Sequence, residues 1–134
     1  MAVTTMPTNP GTAAWHPETL DPLVRVLEAL RTLDPDLPIQ YALSFLTIAQ
    51  NEGLSIRDLS ERLGIAQSSA SRNVAALSKW HSFGKAGHDL VQAEEDPRER
   101  RRKIITLTDR GRELAAQLSD LIQPHKSPTL RRTA

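Results

Sequence analysis

A mainly α fold with one small β-hairpin, an α+β domain, is what this chain of 134 residues predicts. Three observations point there. Apolar residues recur at helical spacing in five separate stretches. Two short β-prone runs flank a charged turn late in the chain. Prolines and glycines fall between these stretches, where chain direction must change. The length suits one compact domain, with 39% hydrophobic and 25% charged residues. Without cysteine there is no disulfide and no thiolate metal site. Met1 to Leu20 has neither a basic start nor an apolar block, and no long apolar run follows. A cytoplasmic protein without a membrane span is therefore expected.

Residues 1–20, rich in Thr, Pro and Ala, read as a flexible arm. Asp21 as a cap and Pro22 in the first turn open a helix to about Leu33, with Leu23, Val26, Leu27, Leu30 and Leu33 at helical spacing. Asp34-Pro35-Asp36 stops it, because proline cannot continue the helical ladder. Pro38 starts a second helix whose inward stripe is Ala42, Phe45, Leu46 and Ala49, with Gly53 near its end. Ser55 caps a short third helix, with Ile56, Leu59 and Leu63 inward and Gly64 at its end. Gln67 begins a fourth helix to about Trp80, with Ala70, Val74 and Leu77 inward.

Ser82 to Asp89 then reads as a loop, with Trp80 and Phe83 as packing residues at the helix end. Leu90 to Ala93 and a run containing Ile104, Ile105 and Leu107 form the hairpin strands, joined by the charged turn Glu94 to Arg102. Thr108 caps a last helix, Asp109 to about Ile122, with Leu114, Leu118 and Leu121 on one side. The domain is thus expected over 21–123, followed by a basic flexible tail at 124–134. Compact helices followed by a β-hairpin are the parts of a winged helix-turn-helix.

Charge is unevenly placed. The first 71 residues carry four basic and eight acidic side chains; the remainder carry thirteen and eight. A basic second half suits a polyanionic partner. Leu59-Ser60-Glu61-Arg62-Leu63-Gly64-Ile65 runs straight into Gln67-Ser68-Ser69-Ala70-Ser71-Arg72-Asn73-Val74. Ser60 is small enough to lie where two helices cross, and Gly64 permits the tight turn between them. The outer face of the second helix is small, polar and free of carboxylates. Gln and Arg can pair with base edges, while serines and free amides at a helix start suit phosphates. Arg98 to Lys103 holds five basic side chains in six, at the hairpin tip. Arginines there can enter a minor groove or clamp phosphates, with Asp96 or Glu99 bracing a guanidinium. Each feature alone also fits an ordinary solvated surface; together they favour DNA.

These residues resemble the MarR family of winged-helix transcriptional regulators. Asp96-Pro97-Arg98-Glu99-Arg100-Arg101, followed by Leu107-Thr108-Asp109-Arg110-Gly111, is similar to the family's wing signature, and the likeness extends over about Pro38 to Leu118. It implies a homodimer on a palindromic double-stranded operator, usually as a repressor. It assigns recognition-helix contacts to Gln67, Ser68, Ser69, Ser71 and Arg72, to which Asn73 is added, and wing contacts to Arg98, Arg100, Arg101 and Arg102. It implies a small-molecule effector between the dimerisation helices and the reading head, but no cofactor. Glu99 stands where the family's wing aspartate is usual. The 80–90 segment is longer than the family's link, and one C-terminal helix stands where two are usual. Dimerisation is therefore expected from Leu23, Val26, Leu27, Leu30, Leu114, Leu118 and Leu121.

His81, His88 and Asp89 match no metal-ligand spacing. No phosphate-cradling glycine loop, nucleophile elbow or catalytic carboxylate pair is present, so an enzyme is not expected. Two alternatives remain: a DNA-binding accessory factor of low sequence specificity, and a winged helix used for protein contact on the transcription machinery.

Overall fold

The computed structural model describes residues 14–80 and 85–123. Met1 to Ala13, His81 to Gly84 and the tail from Pro124 lie outside them, as do Phe83 and most of the expected arm. A 3₁₀ turn, Pro17–Leu20, leads into α1, Asp21–Leu33. There follow α2, Ile39–Gln50, α3, Ile56–Leu63, and α4, Gln67–Leu77. Strands β1, Val91–Glu95, and β2, Lys103–Leu107, form the hairpin, and α5, Asp109–Ile122, ends the domain. The expected α+β winged helix-turn-helix is the observed architecture. Among the described residues no helix is long and apolar enough to cross a membrane.

Caps explain several boundaries. The Ser55 hydroxyl accepts the Asp58 amide at 3.1 Å, and the Asp58 carboxylate accepts the Ser55 amide at 3.2 Å, a reciprocal capping box. Gly64 ends α3 in the left-handed region at φ 69°, which costs a side-chain-bearing residue about 1 kcal/mol or more. Thr108 accepts the Gly111 amide at 3.0 Å and starts α5. The first helix departs from expectation. Leu20 is its N-cap and Asp21 already lies inside, because the preceding 3₁₀ turn feeds directly into it.

The core joins Phe45 and Ile48 of α2, Leu59 of α3, Ala70, Val74 and Leu77 of α4, Leu90 and Val91, Ile105 and Leu107 of β2, and Leu114 and Leu118 of α5. α1 joins through Leu30. On α2 the inward stripe is Ala42, Phe45 and Ile48 rather than one through Leu46, which faces outward. Gly111 lets α5 close on the chain before β1. A Cβ there would stand 2.0 Å from the Leu90 carbonyl oxygen.

The strands pair antiparallel, Val91 opposite Leu107 through Glu95 opposite Lys103. β1 lies slightly further along the chain than expected, while β2 covers the expected run. The sheet also has a third contributor that strand periodicity misses. Leu54 bridges Ile105: the Ile105 amide donates to the Leu54 carbonyl at 2.9 Å, and the Gly53 amide to the Ile105 carbonyl at 2.8 Å. The hairpin is thereby rooted on the turn between α2 and α3.

Candidate nucleic-acid interface

α3, the turn at Gly64 and α4 form the helix-turn-helix. The Ile65 amide returns to the Ser60 carbonyl at 3.0 Å, fixing the turn, and Ser60 is buried as a helix-crossing position requires. Ala70, Val74 and Leu77 face inward. Gln67, Ser68, Ser71 and Arg72 are exposed, and Ser69 is half-buried. Arg72 Nη2 donates weakly to Ser69 Oγ at 3.5 Å, so the guanidinium rests over the first turn. No side chain caps α4, and no acidic residue occupies its first turn. The positive end of the helix dipole and its leading amides are therefore open to an anion.

Asn73 is a correction. It is buried, and its Nδ2 donates to Ser44 Oγ on α2 at 3.0 Å. Three residues from Ala70 and one from Val74, it falls on the inward face, so its amide locks α4 to α2 and cannot reach a base edge.

α4 also ends earlier than the expected Trp80, leaving Lys79 beyond the helix. The reason lies in the segment that follows. The amides of Gly87, His88, Asp89 and Leu90 donate to the carbonyls of Lys79, Ala76, Ser78 and Leu77 at 2.8, 3.1, 3.2 and 2.7 Å. The returning chain thus satisfies the carbonyls that a helix end leaves orphaned. Residues 87–90 thereby close α4. His88 adds a 3.3 Å contact to Asp34 after α1. Trp80, expected to pack, is 66% exposed and bridges Ala86 in backbone pairing.

At the wing tip the Asp96 amide donates to the Arg102 carbonyl at 2.9 Å, the Glu99 amide to Asp96 at 3.1 Å and the Arg102 amide to Glu99 at 2.9 Å. Asp96 Oδ1 accepts the Arg98 amide at 2.9 Å, an Asx-type turn. The bracing acid is Asp96; Glu99 contributes only backbone groups to this turn. Arg98, Arg100 and Arg101 are exposed and make no ion pair among the described residues. Arg102 differs from them. Its Nη2 lies 3.5 Å from Asp58 of α3 and its Nε 3.8 Å from Asp96, so it turns back as a strut between wing and helix. The Ser55 amide hydrogen bond, above all, holds the Asp58 carboxyl below the usual aspartate range; Arg102 and Arg62 add to this, against the effect of burial.

The expected dimerisation residues divide. Leu23 and Leu27 are exposed on α1. Leu30, Leu114 and Leu118 are buried in the chain's own core, where α1 packs on α5, so they are corrected from interface to core. Val26 and Leu121 are half-buried against the same core. Two residues missed by the helical stripe, Leu20 and Val24, are exposed beside Leu23 and Leu27. On α2, Ile39, Leu43 and Leu46 add a second exposed apolar row.

A family model described as winged helix-turn-helix DNA-binding matches residues 46–79. No curated protein matches the sequence. Among solved structures the chain is similar to Rv1404 of Mycobacterium tuberculosis, with TM-score 0.61 and 19% identity over 87% of this chain and 75% of that one. It is similar to S. aureus MepR in a DNA complex, with TM-score 0.60 and 16% identity over 83% and 84%. It is also similar to a MarR-like transcriptional regulator, TM0816, of Thermotoga maritima, with TM-score 0.57 and 20% identity over 83% and 77%. What the chain shares with these structures is the fold, a winged helix-turn-helix.

Proposed function

We propose that this chain is a dimeric, non-enzymatic, sequence-specific double-stranded DNA-binding regulator of transcription, acting as a repressor in the cytoplasm. The observation that carries the reading is the pairing of two outward-facing elements on one rigid frame. The uncapped, carboxylate-free start of α4 presents Gln67, Ser68, Ser69, Ser71 and Arg72, and the wing tip presents Arg98, Arg100 and Arg101. α4 would enter a major groove and the wing the flanking minor groove or backbone. That MepR, of like fold, is seen in complex with DNA supports a DNA partner here.

Dimerisation would use the α1 row Leu20, Leu23, Val24 and Leu27. With Leu30 inside and this row outside, α1 is apolar on two sides, the pattern of a helix that is buried in its final assembly. An open cleft of about 350 Å³ between α1, α5 and Leu90, lined in part by Leu33, Arg110, Glu113 and Leu114, supports a small-molecule effector beside the dimerisation helices.

The test is binding to a mixed-sequence duplex across a salt series. Replacing Arg100 and Arg101 with alanine is expected to weaken binding and flatten the salt dependence, because each phosphate left without its arginine makes the slope of log K against log salt shallower by about 0.9. Unchanged binding by that variant would remove the wing from the reading.

A further inference from the structure

We propose that Glu52 and Arg112 form a latch that sets the attitude of the wing and couples it to α5. Glu52, on the turn after α2, accepts the Leu107 amide at 2.9 Å through Oε1. The same oxygen accepts Arg112 Nη2 at 3.0 Å, while Arg112 Nη1 donates to the Leu107 carbonyl at 2.9 Å. One carboxylate and one guanidinium thus hold both backbone polar groups of the last β2 residue. Arg112 lies on α5, so three elements meet in one closed ring: the α2–α3 turn, the root of the wing and the last helix.

The latch acts where the fold is weakest. A two-stranded hairpin is marginal by itself and takes its orientation from what it leans on. Here it leans on the Leu54–Ile105 bridge, on the Arg102–Asp58 strut near the tip, and on this ring at the root. The ion pair is half-exposed, so its Coulomb attraction is weak in water. Its effect is geometric: the Glu52 carboxylate, rather than a backbone carbonyl, takes the Leu107 amide, and the forked guanidinium fixes that carboxylate in place. Glu52 and Arg112 are therefore positioning residues. A shift of α5 would tilt the wing through this ring, whose hydrogen bonds join Glu52, Leu107 and Arg112 and none of α4.

The DNA part of this inference rests on the function proposed above; the structural part does not. Amide hydrogen exchange on the free protein tests the latter. In Glu52→Ala, exchange at Ile105 and Leu107 is expected to rise about tenfold while α4 amides stay at parental rates. Glu52→Gln, which keeps an acceptor for Leu107, is expected to restore most of the protection. Arg112→Leu serves as the second variant should Glu52→Ala fail to fold, and is expected to loosen the same two amides. On a mixed-sequence duplex, Glu52→Ala is expected to flatten the salt slope as far as the Arg100 and Arg101 double substitution does. Parental exchange at Leu107 in both Glu52→Ala and Arg112→Leu would overturn the latch. Absence of duplex binding by the parent protein would instead overturn the DNA reading, and the exchange rates would still decide the latch.

Discussion

The Asn73 side-chain amide donates to the Ser44 hydroxyl at 3.0 Å, and both groups are buried between α4 and α2. Together with the buried Ala70, Val74 and Leu77, this bond sets the rotation of α4 about its own axis and so which of its residues face outward. Asn73→Ala is expected to cost about 1–3 kcal/mol in chemical denaturation, because a buried hydroxyl loses its partner. Base preference in the variant is expected to stay parental. A changed base preference with parental stability would return Asn73 to the outer face.

Gly111 and Gly64 are demanded for different reasons, and their substitutions separate them. Gly111→Ala places a methyl 2.0 Å from the Leu90 carbonyl oxygen, so α5 must shift. A destabilisation of about 3 kcal/mol is expected, at the upper end of overpacking costs. Nothing lies within 4 Å of a Cβ at Gly64, and only its φ of 69° resists substitution. Gly64→Ala is expected to cost about 1 kcal/mol. Urea titrations of the two variants give the order directly.

The capping box predicts an acid-side dependence of stability. The folded Asp58 carboxyl titrates below its ordinary value of 3.8, chiefly through the Ser55 amide bond. A depressed carboxylate contributes stability that is fully present above the unfolded value and is lost as pH falls through the folded one. That contribution is expected intact at neutral pH and to fade below about pH 4. In Asp58→Asn this part of the pH dependence should vanish, and in Ser55→Ala it should shrink with a further destabilisation of about 1 kcal/mol at pH 7. An acid limb identical in all three proteins would contradict the assignment.

The exposed and buried leucines of α1 and α5 predict opposite phenotypes. Leu23→Asp with Leu27→Asp is expected to leave the fold intact and give a monomer in analytical ultracentrifugation, since both side chains are exposed in the single chain. Leu118→Ala is expected to cost about 2–5 kcal/mol of stability, as a core truncation does. A folded dimer from the double aspartate variant would move the interface elsewhere, the α2 row Ile39, Leu43 and Leu46 being the next apolar surface.

What was legible in the sequence followed from side chains with one strong local role. Ser55 and Gly64 bound α3, Thr108 opens α5, and the prolines after α1 stop it, because caps and breakers act within a few residues. Where distant chain decided the outcome, local reading fell short. α4 stops at Leu77 because the amides of residues 87–90 return to its carbonyls, which no helical period reveals. Leu54 contributes a single bridge to the sheet, too short for alternation to register. Leu46 and Ile48 are equally apolar, and it is packing against the rest of the chain that selects Ile48 for the core. Asn73 is polar and follows Arg72, so its type suggested the surface although its phase on the helix is that of Val74. Arg102 belongs by composition to the arginine cluster, yet Asp58, 44 residues earlier, draws it back.

The central claim, that the α4 face and the wing together read duplex DNA as a dimer, is tested most directly by selecting bound duplexes from a random-sequence pool while measuring the mass of the bound species. Enrichment of an inverted repeat, bound by two chains and relaxed at one position by Arg72→Ala, is the predicted result. Duplex binding without enrichment would contradict sequence-specific regulation and favour an accessory DNA-binding role; absence of binding at low salt would contradict the DNA interface itself.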